Sequence, residues 1–479
     1  MAMMPTDAAD QRDLISGSLT RSILRLSLPL AVGTVLQGLY SLTDAFWLGR
    51  VNKEALAAAG VSGPLIWLIV SLGTGFGSAA TALVAQYTGA KRHGEANRVA
   101  GQALVLMVVW STTLALPMAV LAPQVLRLFR VPGEMMPQAV DYLSLVALGL
   151  PLVSFTIAYG AVLRALGDTM TAVAIGIGAN LLNLVLDPVL IFGWGAIPAL
   201  GVRGAASATV LAQMLGALGC CGLLRRHHRG ISITGADLRP DWPILRRIGS
   251  IGLPSAISNG SGSLGFSLFQ GMINSLGTTV IGAFTVGLRV ANLFQMPGQA
   301  LGMAAAPIVG QALGAGRPAL ARRAIRVSAT MAAIGMLVPV AFLMLEGQAV
   351  ASFFTKDPDV VRETGRFFLI VPLSSYLFGI IMVLTAAFHG SGHTRPAMLL
   401  TLLRMWVLRL PAGYLLGFVL GWGSTGVYWG MVLGNAASAV LAYLMVRECH
   451  WQKGAIPPAR EVQAEAALEA IVKEVTPNG

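Results

Sequence analysis

Twelve stretches of this chain are apolar over about 20 residues or more, the length needed to cross roughly 30 Å of hydrocarbon. They run Leu24–Leu48, Leu56–Val84, Val99–Leu121, Tyr142–Leu163, Ala172–Phe192 and Val202–Leu224. After an interval they resume as Ile248–Ile273, Val280–Val309, Ala324–Leu345, Phe367–Phe388, Met398–Leu420 and Val427–Val446. Only 11% of residues are charged and mean hydropathy is +0.71, whereas an ordinary soluble protein is about 25% charged. So few charges cannot clothe a water-facing surface, so lipid must cover it. The expected fold is an all-α membrane protein of twelve transmembrane helices, with the bilayer as its first partner. The second and eighth runs exceed the required length, so each tilts or extends beyond the bilayer.

The net charge of +12 and pI of about 10.2 do not mark a nucleic-acid binder. No basic block is interleaved with stacking aromatics, and the charges fall between apolar runs. They report topology instead. With the N-terminus in the cytoplasm, and with Arg25, Arg203 and Arg326 at span ends counted with the segments they border, the termini and the even-to-odd connections hold 22 of the 33 Lys and Arg residues, against eight on the other side and three deep within spans. That bias places both termini in the cytoplasm of a multi-pass inner-membrane protein. The polar arm before Thr20 lacks a cleavable signal pattern, so the first span is expected to direct insertion. Cys220, Cys221 and Cys449 show neither metal-ligand nor disulfide spacing.

A shift of 225 residues aligns the two halves without a gap. Pro29 falls on Pro254, Gln86 on Gln311, Gly89 on Gly314, Arg98 on Arg323, Gly167 on Gly392 and Thr169 on Thr394. Matches in Pro, Gln, Gly and Arg at one offset are not chance pairings of Leu-rich helices. Six spans per half is even, so the halves share an orientation and enclose a cleft that can open to either side in turn. The expected organisation is an arm over 1–20, a six-helix bundle over 21–224, a basic cytoplasmic linker over 225–247, a second bundle over 248–447 and a tail over 448–479. In that tail Leu468, Ile471, Val472 and Val475 share the face of a short amphipathic helix.

Two carboxylates, Asp44 and Asp187, lie well inside spans. A charged Asp at a helix centre costs about 2.5–3.5 kcal/mol on insertion scales and is rarely kept without a use. Each continues a polar stripe: Gln37, Ser41 and Asp44 on the first span, and Asn180, Asn183 and Asp187 on the fifth. Amides beside a carboxyl group can donate to its charged form and accept from its protonated form, as proton exchange requires. A static polar lock between helices is the alternative role for each stripe. Arg289, Asn292, Gln295 and Gln299 form a polar face on the eighth span, and with Gln37, Tyr40 and Ser41 they are the expected substrate-cleft residues. Arg404 and Arg409 on the eleventh span have no partner legible in the sequence. His389 and His393 are four apart, but two ligands are too few for a metal site.

These features together resemble the MATE family of multidrug and toxic-compound extruders. The resemblance rests on Pro29 with the run Tyr40-Ser41-Leu42-Thr43-Asp44, on Asn183 and Asp187 ahead of Pro188, and on the paired Gln-x-x-Gly-Ala segments after spans two and eight. Arg164-Ala165-Leu166-Gly167-Asp168 after span four adds to it. Within the family the chain is most similar to the DinF-like prokaryotic branch, because its seventh and tenth spans carry no acidic residue. That resemblance implies coupling carboxylates in the first bundle and a hinge at Pro29. The function it implies is a monomeric antiporter that exports hydrophobic, mostly cationic drug-like compounds by alternating access. Protons are the expected coupling ion, with sodium at Asp44, Asn183 and Asp187 the close variant, and no cofactor is expected. A lipid-linked saccharide flippase is a second transporter reading, kept open by Arg289, Arg404 and Arg409. An enzyme is not expected, since no Ser-His-Asp set and no HExxH motif is present.

Overall fold

The computed structural model describes residues 14–15, 17–129, 131–195, 198–227, 232–448 and 450–456. The side chains at 39–42 and 45 lie outside that description, and so do the tail beyond residue 456 with its amphipathic segment and Cys449. Twelve long helices follow one another: α1 Leu19–Val51, α2 Lys53–Gly89, α3 His93–Val120, α4 Met136–Ala165, α5 Thr169–Phe192 and α6 Val202–Arg225. The second half holds α7 Trp242–Asn274, α8 Thr278–Gly314, α9 Pro318–Phe354, α10 Pro358–Ser391, α11 Thr394–Val419 and α12 Gly423–Glu448. A short surface helix, Ala122–Leu128, follows α3. At 37 residues, α2 and α8 measure about 55 Å, well beyond the hydrocarbon thickness.

Eleven of the twelve are long and apolar enough to cross a membrane. The exception, α7, has the length (33 residues) but carries Ser255, Ser258, Asn259, Ser261, Ser263 and Ser267. Part of that polarity is spent against protein rather than lipid. The Asn259 side chain donates to the Ser71 carbonyl at 3.3 Å and to Thr74 Oγ1 at 3.0 Å on α2, and Ser258 donates to Thr401 Oγ1 at 2.9 Å. Helix α11 is not a plain α-helix. Leu403–Arg409 and Leu415–Val419 are π-helical, flanking a short α stretch with Pro411. Proline has no N–H to give and crowds the carbonyl four residues back, which favours the wider turn.

The halves meet through α1 with α8, α2 with α7, and α2 with α8. The tightest point is where α2 and α8 end. A Cβ added to Gly89 would collide with the Gln311 carbonyl, and one added to Gly314 with the Gln86 carbonyl, so only glycine lets the two backbones come this close. The neighbouring glutamines finish the crossing symmetrically. Gln86 Nε2 donates to the Gly390 carbonyl and Gln311 Nε2 to the Ala165 carbonyl, each at 2.9 Å, and 165 and 390 are again 225 apart. Their side-chain oxygens accept from chain ends: Ile456 N–H donates to Gln86 Oε1 at 3.1 Å, and Leu14 N–H to Gln311 Oε1 at 3.0 Å. Both amides are fully buried and fully bonded. The following turns repeat as well, with Lys91 at φ 60° matching Gly316 at φ 69°.

The linker is held to the first bundle by side chains of α3, where Asn97 Nδ2 donates to Ser232 Oγ at 3.2 Å. Gln102 on α3 donates to the Asp237 and Arg239 carbonyls at 2.7 and 2.6 Å and accepts from Asp241 N–H at 3.0 Å.

The crossing predicts that Gly89→Val and Gly314→Val each lower the melting temperature of the detergent-solubilised protein by several degrees, since overpacking costs about 1–3 kcal/mol. Gly60→Ala and Gly271→Ala, where an added Cβ meets nothing within 4 Å, leave it unchanged or raise it. Fluorescence-detected size exclusion after heating measures both, and equal losses at all four positions would contradict this account.

Candidate functional site in the first bundle

Helices α1 and α5 run parallel and in register. Gly33 on α1 packs against Val173 on α5, and a constant step of 143 residues then pairs Gln37 with Asn180 and Asp44 with Asp187. The upper pair is a hydrogen bond: Asn180 Nδ2 donates to Gln37 Oε1 at 3.2 Å, on an exposed face. The same register sets the lower pair, two carboxylates, opposite each other on the two helices. The sequence stripes therefore face each other across one helix pair.

The two carboxylates have different surroundings. Asp187 is 1% exposed and Asn183 is 2% exposed. The Asn183 amide sits between Asp187 and α6, and its better-satisfied orientation has the nitrogen donating to Asp187 Oδ2 at 3.0 Å. Its oxygen then accepts from Thr209 N–H, also at 3.0 Å. Asp44 is half-buried, and its Oδ1 is enclosed without a hydrogen-bond partner. One carboxyl group is thus braced, while the other has a lone oxygen inside protein.

The start of α6 and the end of α1 frame the site. Arg203 makes a two-point pair with Asp141, at 2.8 and 3.0 Å. Trp47 packs edge-on against Phe192, and the Arg50 guanidinium lies 4.5 Å above the Phe46 ring. Pro29 lies inside a helix that continues unbroken from Leu19 to Val51, fifteen residues before Asp44. The side chains of Tyr40 and Ser41 fall outside the described ones.

The second-bundle cleft residues are not gathered into this site. Arg289 and Asn292 are exposed on α8, and Gln299 is half-buried. Gln295 turns toward α10, where its Nε2 donates to Ser375 Oγ at 2.9 Å. Among the described residues, no three His, Cys, Asp or Glu side chains cluster as metal ligands would, and His393 Nδ1 lies 3.3 Å from Ser391 Oγ.

A fold of two six-helix repeats has a counterpart among known proteins. The family profile described as MatE matches residues 29–189 and matches again at 254–415. The chain belongs to the MatE family of transporters. Its two matches start on Pro29 and Pro254, the first aligned pair of the internal repeat. This MatE chain is 25% identical over 437 residues to the probable multidrug resistance protein NorM of Thermotoga maritima, covering 91% of this chain and 94% of that one. It is 26% identical over 445 residues to the FAD transporter of Shewanella oneidensis, covering 91% and 96%. A crystal structure described as MATE in the straight conformation superposes with a TM-score of 0.85 at 28% identity, covering 91% of this chain and 97% of that one.

One partner in this MatE site had no marker in the sequence: only the packing of α6 on α5 brings Thr209 to Asn183. Outside the site, Asn259, which bridges the bundles, had none either.

The bracing of Asp187 predicts that Asn183→Leu destabilises the protein by about 1–3 kcal/mol, because it strips a buried carboxyl group of its donor. Asn180→Leu, at an exposed pair, stays within about 0.5 kcal/mol. Denaturation in mixed micelles gives both numbers, and a larger loss at Asn180 would mean that Asp187 is not held this way.

Proposed function

We propose that this chain is a proton-coupled antiporter that exports hydrophobic, mostly cationic drug-like compounds, with Asp44 and Asp187 as the coupling carboxyls. The observation that carries the reading is the enclosed, unpartnered Oδ1 of Asp44 opposite the braced Asp187. Two carboxylates facing each other in an apolar protein attract a lipophilic cation while ionised and lose that attraction when protonated. Closing the cleft removes water from them, which is costly for a charged pair and tolerable for a neutral one. Proton loading from outside therefore releases the drug outward and permits the outer end to close. Opening to the cytoplasm rehydrates the site and returns the proton.

The donor set favours a proton over sodium. A hard cation needs several oxygen ligands at once, but Asn183 turns its nitrogen to Asp187 and its oxygen to Thr209. That leaves mainly the two carboxyl groups. The crossing at Gly89 and Gly314 supports alternating access, since its backbone contacts and glutamine hydrogen bonds lie at one end of α2 and α8, with only the Asn259 bridge midway along α2. With the basic residues on the same side, that end and both termini face the cytoplasm. Pro29 is the proposed hinge. It leaves the Arg25 carbonyl without its helical donor, fifteen residues from Asp44. The name of the Thermotoga relative supports a drug-like substrate, while that of the Shewanella relative supports a dinucleotide. The carboxylate pair favours the former.

Proteoliposomes with separately imposed proton and sodium gradients test this. A lipophilic cationic dye should move against a proton gradient alone, and Asp44→Asn should reduce that movement at least tenfold. Efflux driven only by sodium, or undiminished in Asp44→Asn, would overturn the mechanism.

A further inference from the structure

The repeat relates each position of the first bundle to one in the second, and at the carboxylate site the chemistry inverts. A step of 225 carries Asp44 to Phe269 and Asp187 to Ala412. Directly over the Phe269 ring, 4.5 Å from its centroid, lies the guanidinium of Arg409, with the Phe266 ring 5.8 Å away. Five residues earlier on α11, Arg404 lies 4.7 Å above the Phe378 ring of α10. Both arginines lie in the π-helical stretch Leu403–Arg409, whose wider turn brings residues five apart closer to one helix face than an α-helix would.

Both side chains are deep inside the second bundle, 8% exposed at Arg404 and 6% at Arg409. Among the described residues neither makes an ion pair. The carboxylates of α9 and α10 (Glu346, Asp359 and Glu363) sit near the α9–α10 connection, where Glu363 and Asp359 pair with Arg366 and Arg362. Arg409 Nε and Nη2 are enclosed with no acceptor. Ring faces attract a guanidinium but do not satisfy the N–H groups in its plane. A carboxylate or phosphate does so through two parallel hydrogen bonds.

We propose that Arg404 and Arg409 form an anion-binding subsite in the second bundle, which takes the carboxylate or phosphate group of an aromatic amphiphile. The partly exposed Phe266 and Phe378 supply the aromatic contact for the rest of the molecule, while the fully buried Phe269 holds the Arg409 guanidinium in place. The proposal rests on the transporter reading and deepens it: the two bundles present opposite charges, so the anionic group of a substrate is held in the second bundle, apart from the carboxyls of the first.

Calorimetry on the purified full chain in detergent micelles tests this without any gradient or transport step. The probes are 1-naphthoate, 1-naphthyl phosphate and the uncharged 1-naphthamide. Either anion is expected to bind at least tenfold more tightly than the amide, and the tighter of the two identifies the anionic group. Arg404→Gln and Arg409→Gln should each erase most of that preference, and Arg409→Lys, with charge but no fork, should restore part of it. Should a glutamine variant fail to fold, the unmodified chain still decides through thermal stabilisation by naphthoate against naphthamide. Equal affinity for anions and amide, or a preference that survives both glutamine substitutions, would overturn the proposal. Failure of dye efflux with these results intact would count against proton-coupled export alone.

Discussion

The close crossing of α2 and α8 is the constraint on which the rest depends. Two glycines put the backbone of each repeat against a glutamine carbonyl of the other, and those glutamines spend every side-chain bond on the crossing. Such a contact is rigid because it is made of backbone, with no flexible side chain to give way. It fixes where the bundles touch and so where the cleft between them can be. It also ties the segments that precede the first bundle and follow the second to the same spot. Leu14 packs over Gly167 and Ala455 over Gly392, two glycines related by the repeat and both at positive φ.

On this symmetric frame the chemistry is asymmetric. The first bundle concentrates its polarity where α1 and α5 face each other. One carboxyl group is braced by Asn183 and one has an oxygen left over. The second bundle fills the equivalent positions with Phe269 and Ala412 and brings guanidinium groups to the same depth from α11. Duplication supplies two similar bundles that can rock against each other, and divergence gives each half its own charge. A transporter whose two halves differ in charge in this way needs no symmetry in its substrate.

Much of this was legible in the residues. Apolar length set the spans, and the 225-residue offset exposed the repeat before any coordinates, down to the Gln86–Gly89 and Gln311–Gly314 segments that make the crossing. The stripes on α1 and α5 came from helical spacing alone. Spacing along one helix, however, carries nothing about which helix lies opposite, so Thr209 and the bridging role of Asn259 were invisible. The polar face of α8 was read as one surface, yet Gln295 is drawn to Ser375 on α10. The arginines of α11 were seen as deep but not as a pair. At ideal helical pitch residues five apart diverge, and the π-helical turn Leu403–Arg409, just before Pro411, turns them toward one face.

The central claim is that proton loading of the α1–α5 carboxyls lets the bundles close at the end opposite the crossing. Lys53 and Thr278 open α2 and α8 at that end, are exposed and are related by the repeat. Spin labels there, with Cys220, Cys221 and Cys449 replaced by alanine, report the opening as a distance by double electron–electron resonance. Lowering the pH in lipid nanodiscs should shift the population to shorter distances in the otherwise unchanged chain, and Asp44→Asn should remove most of that pH dependence. A distance distribution that ignores pH, or one that responds equally with Asp44→Asn, would contradict the account.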